Sequence, residues 1–272
     1  RKNFAIAKSS LLDSLQIDKS DLAHIVTAYL IAYTLGQFMT AFMSQKVATR
    51  RLLLTGMAIT LGCNVIFGFT TLMGPAGYWP LLLFNIVNGF AQSTGWPGNV
   101  GVLGNWLTRE ERGGVMAIWA TCYQIGSILA KAFAAFMLAI ASAAWSFWGA
   151  AIVMMVIWVA FYLFQRDSPQ DAAIDQLVEA VDVTKEEAEA LDDAGRIPAR
   201  VMLSIVWMGG VYFVFKFLRY ALDSWSPLAI KELFDLPIAT AGYISTAFDW
   251  VGFVGVLFAG WASDRFFKGK RT

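Results

Sequence analysis

This chain of 272 residues is short of charge, cysteine and histidine, and each shortage excludes a class of protein. Charged residues make up 15% and apolar residues 57%, with a mean hydropathy of +0.56, whereas soluble domains carry about 25% charged residues. A soluble enzyme is therefore excluded, and the bilayer is the solvent. The two cysteines, Cys63 and Cys122, fall inside apolar runs without pairing or metal-ligand spacing, so a disulfide framework, a redox pair and a zinc site are not expected. The single histidine, His24, lies at the mouth of an apolar run and reads as an interfacial residue. No metal cluster, nucleophile constellation or phosphate-cradling glycine loop is visible, so no cofactor, metal or covalent catalysis is expected. A net charge of +1 gives no reason to expect a nucleic-acid partner. No initiator methionine and no secretory leader is seen at Arg1-Lys2, and both ends read as truncations.

What is present is a series of apolar runs of about 20 residues, the length that crosses the hydrocarbon. They fall at 22–44, 52–72, 79–104, 114–141, 144–165, 201–222 and 240–262, with a shorter run at 3–15. The expectation is seven full spans and one partial span. Lysine and arginine mark the cytoplasmic loops: Lys46, Arg50 and Arg51 follow the second span, Arg109 and Arg112 the fourth, and Arg265, Lys268, Lys270 and Arg271 the eighth. The intervening loops at 73–78 and 142–143 carry no charge. Residues 166–200 hold ten acids and no long apolar run, so they lie outside the bilayer. Ile174, Leu177, Val178 and Val181 recur at helical spacing, and Thr184 with Glu187 has the spacing of a capping box. Two short amphipathic helices in a solvated linker are expected there.

A shift of about 219 residues superimposes Ser44-Gln45-Lys46 on Ser263-Asp264-Arg265, Thr27-Ala28-Tyr29 on Thr246-Ala247-Phe248, and Gly36 on Gly255. With a one-residue adjustment it also places Arg1 on Arg219. Six spans separate each residue from its mate, so the repeat is a six-helix unit, and parallel repeats of this kind bind substrate at the midplane between them. Residues 1–165 then form an N-terminal half truncated in its first helix, 166–200 the linker, and 201–272 the first two helices of the second half.

Basic residues dominate the membrane runs. Arg1, Lys2, Lys8, Lys131, Lys216 and Arg219 lie in or beside them, and Asp249 is the one acid deep in a run. A charge at the centre of a membrane helix costs about 2.5–3.5 kcal/mol on insertion scales, and it is tolerated where it lines a wet path to an anion. Arginine's planar fork suits a phosphate, which it can hold through two parallel bonds. Pseudo-symmetry nominates Arg1 and Arg219, one from each half. Lys8 is two turns from Arg1 on one helix face, Lys216 precedes Arg219 by three residues, and Lys131 is the charge inside the fifth span. Asn85, Asn88 and Gln92 share a helix face and either line a cavity or bond between helices. Gly95, Gly98, Gly101 and Gly104 are expected to allow close helix contact.

The run Gly95-Trp96-Pro97, with Trp106, Glu111-Arg112-Gly113-Gly114 and Trp119, resembles the fourth and fifth helices of the organophosphate:phosphate antiporter family of the major facilitator superfamily. Arg1-Lys2-Asn3-Phe4-Ala5 is similar to the family's basic first-helix motif, and Arg166-Asp167-Ser168-Pro169-Gln170 to the start of its linker. Arg219-Tyr220 with Trp225-Ser226-Pro227 resembles its seventh helix, and Gly260-Trp261-Ala262-Ser263-Asp264-Arg265 its eighth. The resemblance implies an all-α polytopic membrane protein, of which this chain covers part of helix 1 through helix 8 of an expected 12. It further implies a multi-pass carrier of the inner (plasma) membrane, a monomer, exchanging an organic phosphate such as glycerol 3-phosphate or a sugar phosphate for inorganic phosphate.

The resemblance also implies a phosphate pair at Arg1 and Arg219, with Lys2 beside it and Tyr33 and Tyr123 at positions of substrate contact, where packing is the alternative; Lys131 and Lys216 join the expected substrate set on their charge and spacing alone, the alternative being that they snorkel toward a helix end. Asp264 and Arg265 of the second-half gating loop, with Asp249, form the expected gating set. The first-half loop departs from the pattern, with Ala41 and Gln45 where glycine and aspartate are usual. Tyr123 stands where the glycerol-phosphate branch has histidine, Gln37 where it has lysine, and the acid before Trp225 is displaced to Asp223. The alternative function is a membrane sensor of sugar phosphate, with the same fold, that signals through a partner kinase.

Overall fold

A computed structural model of the chain describes residues 2–44, 46–107, 115–116, 118–172, 174 and 199–267, with the backbone alone at 199–200, 205 and 259–267. Arg1, Gln45, Glu111-Arg112-Gly113-Gly114 and the linker positions from Leu177 to Glu187 lie outside the described residues. The described elements are helical throughout: α1 Lys2–Leu15, α2 Lys19–Met43, α3 Thr49–Thr70, α4 Tyr78–Ser93, α5 Gly95–Trp106, α6 Cys122–Ile140, α7 Ala143–Phe164, α8 Ala199–Phe234, α9 Ile238–Ser245 and α10 Ala247–Phe267. Six helical stretches are long and apolar enough to cross a membrane, three of them being α2, α3 and α7.

Local chemistry sets the ends of these rods. α1 stops where Gln16 turns into the left-handed region, φ 54°. Asp18 then starts α2 with a capping box, accepting from the Asp21 amide at 2.8 Å while the Asp21 carboxylate accepts from the Asp18 amide at 3.4 Å. Ala48 offers α3 no side-chain cap. The carboxylate of Asp167 takes that place from across the structure, accepting from the Arg50 amide at 3.0 Å. Around it, Asn105 donates to the Asp167 carbonyl at 3.3 Å and the Trp106 indole to the Arg166 carbonyl at 3.1 Å. The start of the linker is thereby bound to the ends of α3 and α5.

Two expected spans are jointed. The run at 79–104 divides into α4 and α5 at Thr94, because Pro97 has no N–H to give to the Ser93 carbonyl and its ring crowds that group. Ser93 and Thr94 donate instead to the carbonyls of Phe90 and Ala91, at 2.6 and 2.9 Å. The run at 240–262 divides at Thr246 into α9 and α10, and Ser245 and Thr246 donate to Gly242 and Tyr243, both at 2.7 Å. A third difference concerns α8. The sequence ends that span at 222, whereas the helix continues through Pro227 to Phe234, about 54 Å at 1.5 Å per residue.

α1 sits amid the helices that precede residue 166. Phe4, Ala7, Leu11 and Leu15 pack against Phe67, Leu81 and Phe147 of α3, α4 and α7. α2 and α4 cross through small residues: a Cβ on Gly89 would lie 2.7 Å from the Tyr29 carbonyl oxygen, and one on Gly36 would lie 2.4 Å from the Ser93 hydroxyl. Of the expected glycine series, Gly98 alone makes such an approach, to Leu53; a Cβ on Gly95 or Gly104 would meet nothing within 4 Å. The amides on α4 bond between and along helices. Asn85 donates to the Ile25 carbonyl at 3.1 Å, Tyr29 to Gln92 at 2.8 Å and Gln92 to Asn88 at 3.0 Å, an arrangement suited to hydrocarbon surroundings. The helices after the linker rest on α1 and α6, which touch α8, α9 and α10.

Candidate functional site

The seam where α1 and α6 meet α8 and α10 gathers most of the membrane-embedded charge. Lys131 lies nine residues before the end of α6, Asp223 eleven before the end of α8, and Asp249 eleven after the start of α9. At 1.5 Å per residue all three sit about 14–17 Å from those helix ends. That is close to half the hydrocarbon thickness of about 30 Å.

On one side of the seam is a group of cations around one ring. The Arg219 guanidinium stacks 4.6 Å from the centre of Tyr123 and donates to the Gln124 side-chain oxygen at 2.9 Å. Lys2 and Lys216 stand 5.4 and 5.9 Å from the same ring, and Lys216 also faces Tyr212 and Tyr220 at 5.0 and 5.7 Å. Cations near an aromatic face gain about 0.5–2 kcal/mol each. The ring therefore lets three positive groups from α1 and α8 share a small volume. Four expected substrate residues, Lys2, Tyr123, Lys216 and Arg219, meet here.

Behind them is a buried quartet. Lys131 reaches Asp223 and Asp249, each at 2.8 Å, and the other oxygen of Asp223 pairs with Lys2 at 2.5 Å. The Lys131 side chain is 0% exposed, Asp249 1% and Asp223 6%. Two cations and two anions thus close on one another across the seam. Breaking such a pair from one side costs about 3–5 kcal/mol, because it leaves an uncompensated buried charge. Lys131, expected beside the substrate, is enclosed by carboxylates, and Asp249, expected to gate, is one of them.

The remaining expected residues lie elsewhere. Tyr33 is on α2, stacked on Tyr29 at 6.0 Å and accepting from Gln37 at 3.0 Å. Asp264 and Arg265 belong to the last turns of α10, where the backbone alone is described. Lys8 is fully buried, 3.6 Å from the Trp225 ring centre and donating to Ser224 at 2.9 Å.

Two residues of the seam were not singled out from sequence as part of the site. Gln124 follows Tyr123, and nothing in its own spacing marked it. Asp223 was noted only as a displaced acid, because the span was ended one residue before it. Its place four residues after Arg219, one helical turn on, was the available signal. Among the described residues, no group of three or more potential metal ligands is found.

Comparison with known proteins agrees with this architecture. The chain is 28% identical to a membrane sensor protein, UhpC, of Escherichia coli and 30% identical to a probable hexose phosphate transport protein of Chlamydia muridarum, in both cases over all of this chain and 62% of the relative. It is 27% identical to a glycerol-3-phosphate transporter of Haemophilus influenzae, over all of this chain and 60% of the relative. The chain thus spans about three fifths of the length of these curated relatives. Residues 1–272 match the family profile of the Major Facilitator Superfamily from end to end. With its jointed apolar helices and charged seam, this multi-pass membrane chain belongs to that superfamily.

Proposed function

We propose that the full-length protein is a secondary active transporter of the inner membrane that exchanges an organic phosphate for inorganic phosphate by alternating access. The observation that carries this reading is Arg219, held at the seam by Gln124 and Tyr123 of the other half, with Lys216 and Lys2 against the same ring. A guanidinium so fixed presents its remaining N–H groups in one plane, the geometry that grips a phosphate through paired bonds. The names of the relatives, a hexose phosphate transport protein and a glycerol-3-phosphate transporter, support an organic phosphate as the second substrate. Arg1, pseudo-symmetry mate of Arg219, completes the proposed clamp.

A bound dianion would offset the mutual repulsion of the cations at the seam and lower the free energy of bringing the halves together over the site. The empty carrier lacks that term and crosses slowly, so transport becomes exchange. This is a difference in ligand affinity between two states, the quantity that moves a conformational equilibrium. The chemistry required is positioning and charge, with no covalent step. A single carrier chain suffices, because both halves of the site lie on one chain.

Phosphate counterflow in proteoliposomes holding the full-length protein tests the proposal. Labelled phosphate should enter when unlabelled phosphate or a sugar phosphate is inside, and should not enter empty vesicles. Binding of sugar phosphate without any flux would overturn transport in favour of the sensor.

A further inference from the structure

We propose that Lys131 is a positioning residue, acting through Asp223 and Asp249 of the opposite half, which sets the charge presented to the anion at the seam without touching it. The proposal rests on the reading of that site as an anion site. Lys131 comes from α6, its side chain is 0% exposed, and its ammonium lies 2.8 Å from a carboxylate oxygen of each aspartate. Asp223 spends its other oxygen on Lys2, and Lys2 faces the Tyr123 ring that Arg219 and Lys216 also face. A chain of contacts therefore runs from the enclosed lysine to the partly buried cations around that ring.

Charge arithmetic decides what that chain does. Lys2, Lys131, Asp223 and Asp249 sum to zero, so among the described residues Arg219 and Lys216 supply the net positive charge around the ring. Without Lys131 the same volume would hold two carboxylates against Lys2 alone. An anion arriving at Tyr123 would then face one extra negative charge nearby. In a partly buried site a unit charge at close range changes anion affinity roughly tenfold or more.

The other charged groups of the packed elements do not substitute for Lys131. On α1, Lys8 is committed to Ser224 and Trp225, and Asp13 is exposed near the far end. On α8, Arg219 is held by Gln124, and Lys231 and Glu232 lie two or more turns beyond Asp223. On α10, Asp264 and Arg265 follow Asp249 by about four turns, at 3.6 residues per turn. α7 has only the exposed Tyr162 and α9 only the exposed Tyr243.

Three variants of the full-length protein test this: Lys131→Met, Asp249→Asn, and the two together. Inorganic phosphate is the probe, titrated by calorimetry. Lys131→Met should weaken binding about tenfold or more, Asp249→Asn should bind at least as well as wild type, and the double variant should return to near wild type. A lysine with a merely structural role predicts that the three variants, once folded, bind phosphate alike, because affinity would not follow the charge at the seam. Equal binding by all three, or a double variant that binds worst, would overturn the proposal. Lys131→Arg should bind phosphate like wild type.

Thermal unfolding without ligand supplies a second readout. Each single variant should lower the melting temperature, and the double variant by less than the two losses combined. Should wild type bind no phosphate, the anion reading fails while this cycle still reports the coupling of Lys131 to Asp249. Where Lys131→Met does not fold, the folded double variant is the test: phosphate binding near wild type supports the proposal, and binding weakened about tenfold overturns it. Failure of both to fold overturns it.

Discussion

Replacing Arg219 with lysine keeps the charge and removes the fork, which isolates geometry as the variable. In the structure the guanidinium makes one charge-assisted bond to Gln124 at 2.9 Å and a stack on Tyr123 at 4.6 Å. Its remaining N–H groups are free to meet two phosphate oxygens in one plane. An ammonium offers three donors around a single point and cannot make the two parallel in-plane contacts of the fork. Hydrogen bonds to charged groups contribute about 1.5–3 kcal/mol, so the loss of one of a pair on phosphate is worth about 2 kcal/mol. At about 1.4 kcal/mol per tenfold, Arg219→Lys should weaken phosphate binding about thirtyfold and abolish exchange. Lys216→Arg should retain much of the exchange, since Lys216 acts as a point charge among three tyrosine rings. Calorimetric titration with phosphate and radiolabelled counterflow in proteoliposomes give the two measurements. Wild-type affinity and flux in Arg219→Lys would refute the clamp and leave a diffuse electrostatic funnel in its place.

Gly89→Ala should destabilise the protein by about 1–3 kcal/mol, the range for overpacking, because its Cβ would stand 2.7 Å from the Tyr29 carbonyl oxygen; thermal unfolding in detergent reads this out, with Gly95→Ala, which meets nothing, as the neutral control. Asp264→Asn should slow exchange while leaving phosphate binding near wild type, and Gln45→Ala should do neither, because glutamine cannot form an ion pair; equal and small effects on flux would remove Asp264 from the gate.

The fold was legible wherever composition carried it. Apolar runs of span length located α2, α3 and α7 to within a few residues, because lipid demands that every backbone group in the hydrocarbon be satisfied locally. The joints were not legible. Run length is blind to a missing N–H at Pro97 and to the hydroxyls at Thr94 and Thr246, which act through geometry within one turn. The end of α8 was misplaced for a related reason: the apolar run was closed at 222, just before Asp223, yet Asp223 is paired with Lys2 and Lys131 and so can remain inside.

Charge counting gave the site its sign and drew attention to Arg219, Lys216 and Lys131. It could not say which cation faces an open space and which faces a carboxylate. That distinction depends on which residues of α6, α8 and α10 lie at one depth, and sequence separation between distant helices does not encode it. Gln124 shows the same limit, since an amide beside a tyrosine carries no mark until the helix that holds Arg219 is placed against it.

The serine–threonine joints have a mechanical consequence. A straight membrane helix that bends must bare carbonyls to lipid, which offers them no water. At Ser93-Thr94 and again at Ser245-Thr246, hydroxyls already occupy the carbonyls of the preceding turn, a local substitute for backbone bonds that is known to bend helices. One rod before the linker and one after it can therefore flex at a fixed point with their polar groups covered. Motion between the halves need not be a rotation of rigid bodies alone, and the bending stiffness of these two helices becomes a property written in four small side chains.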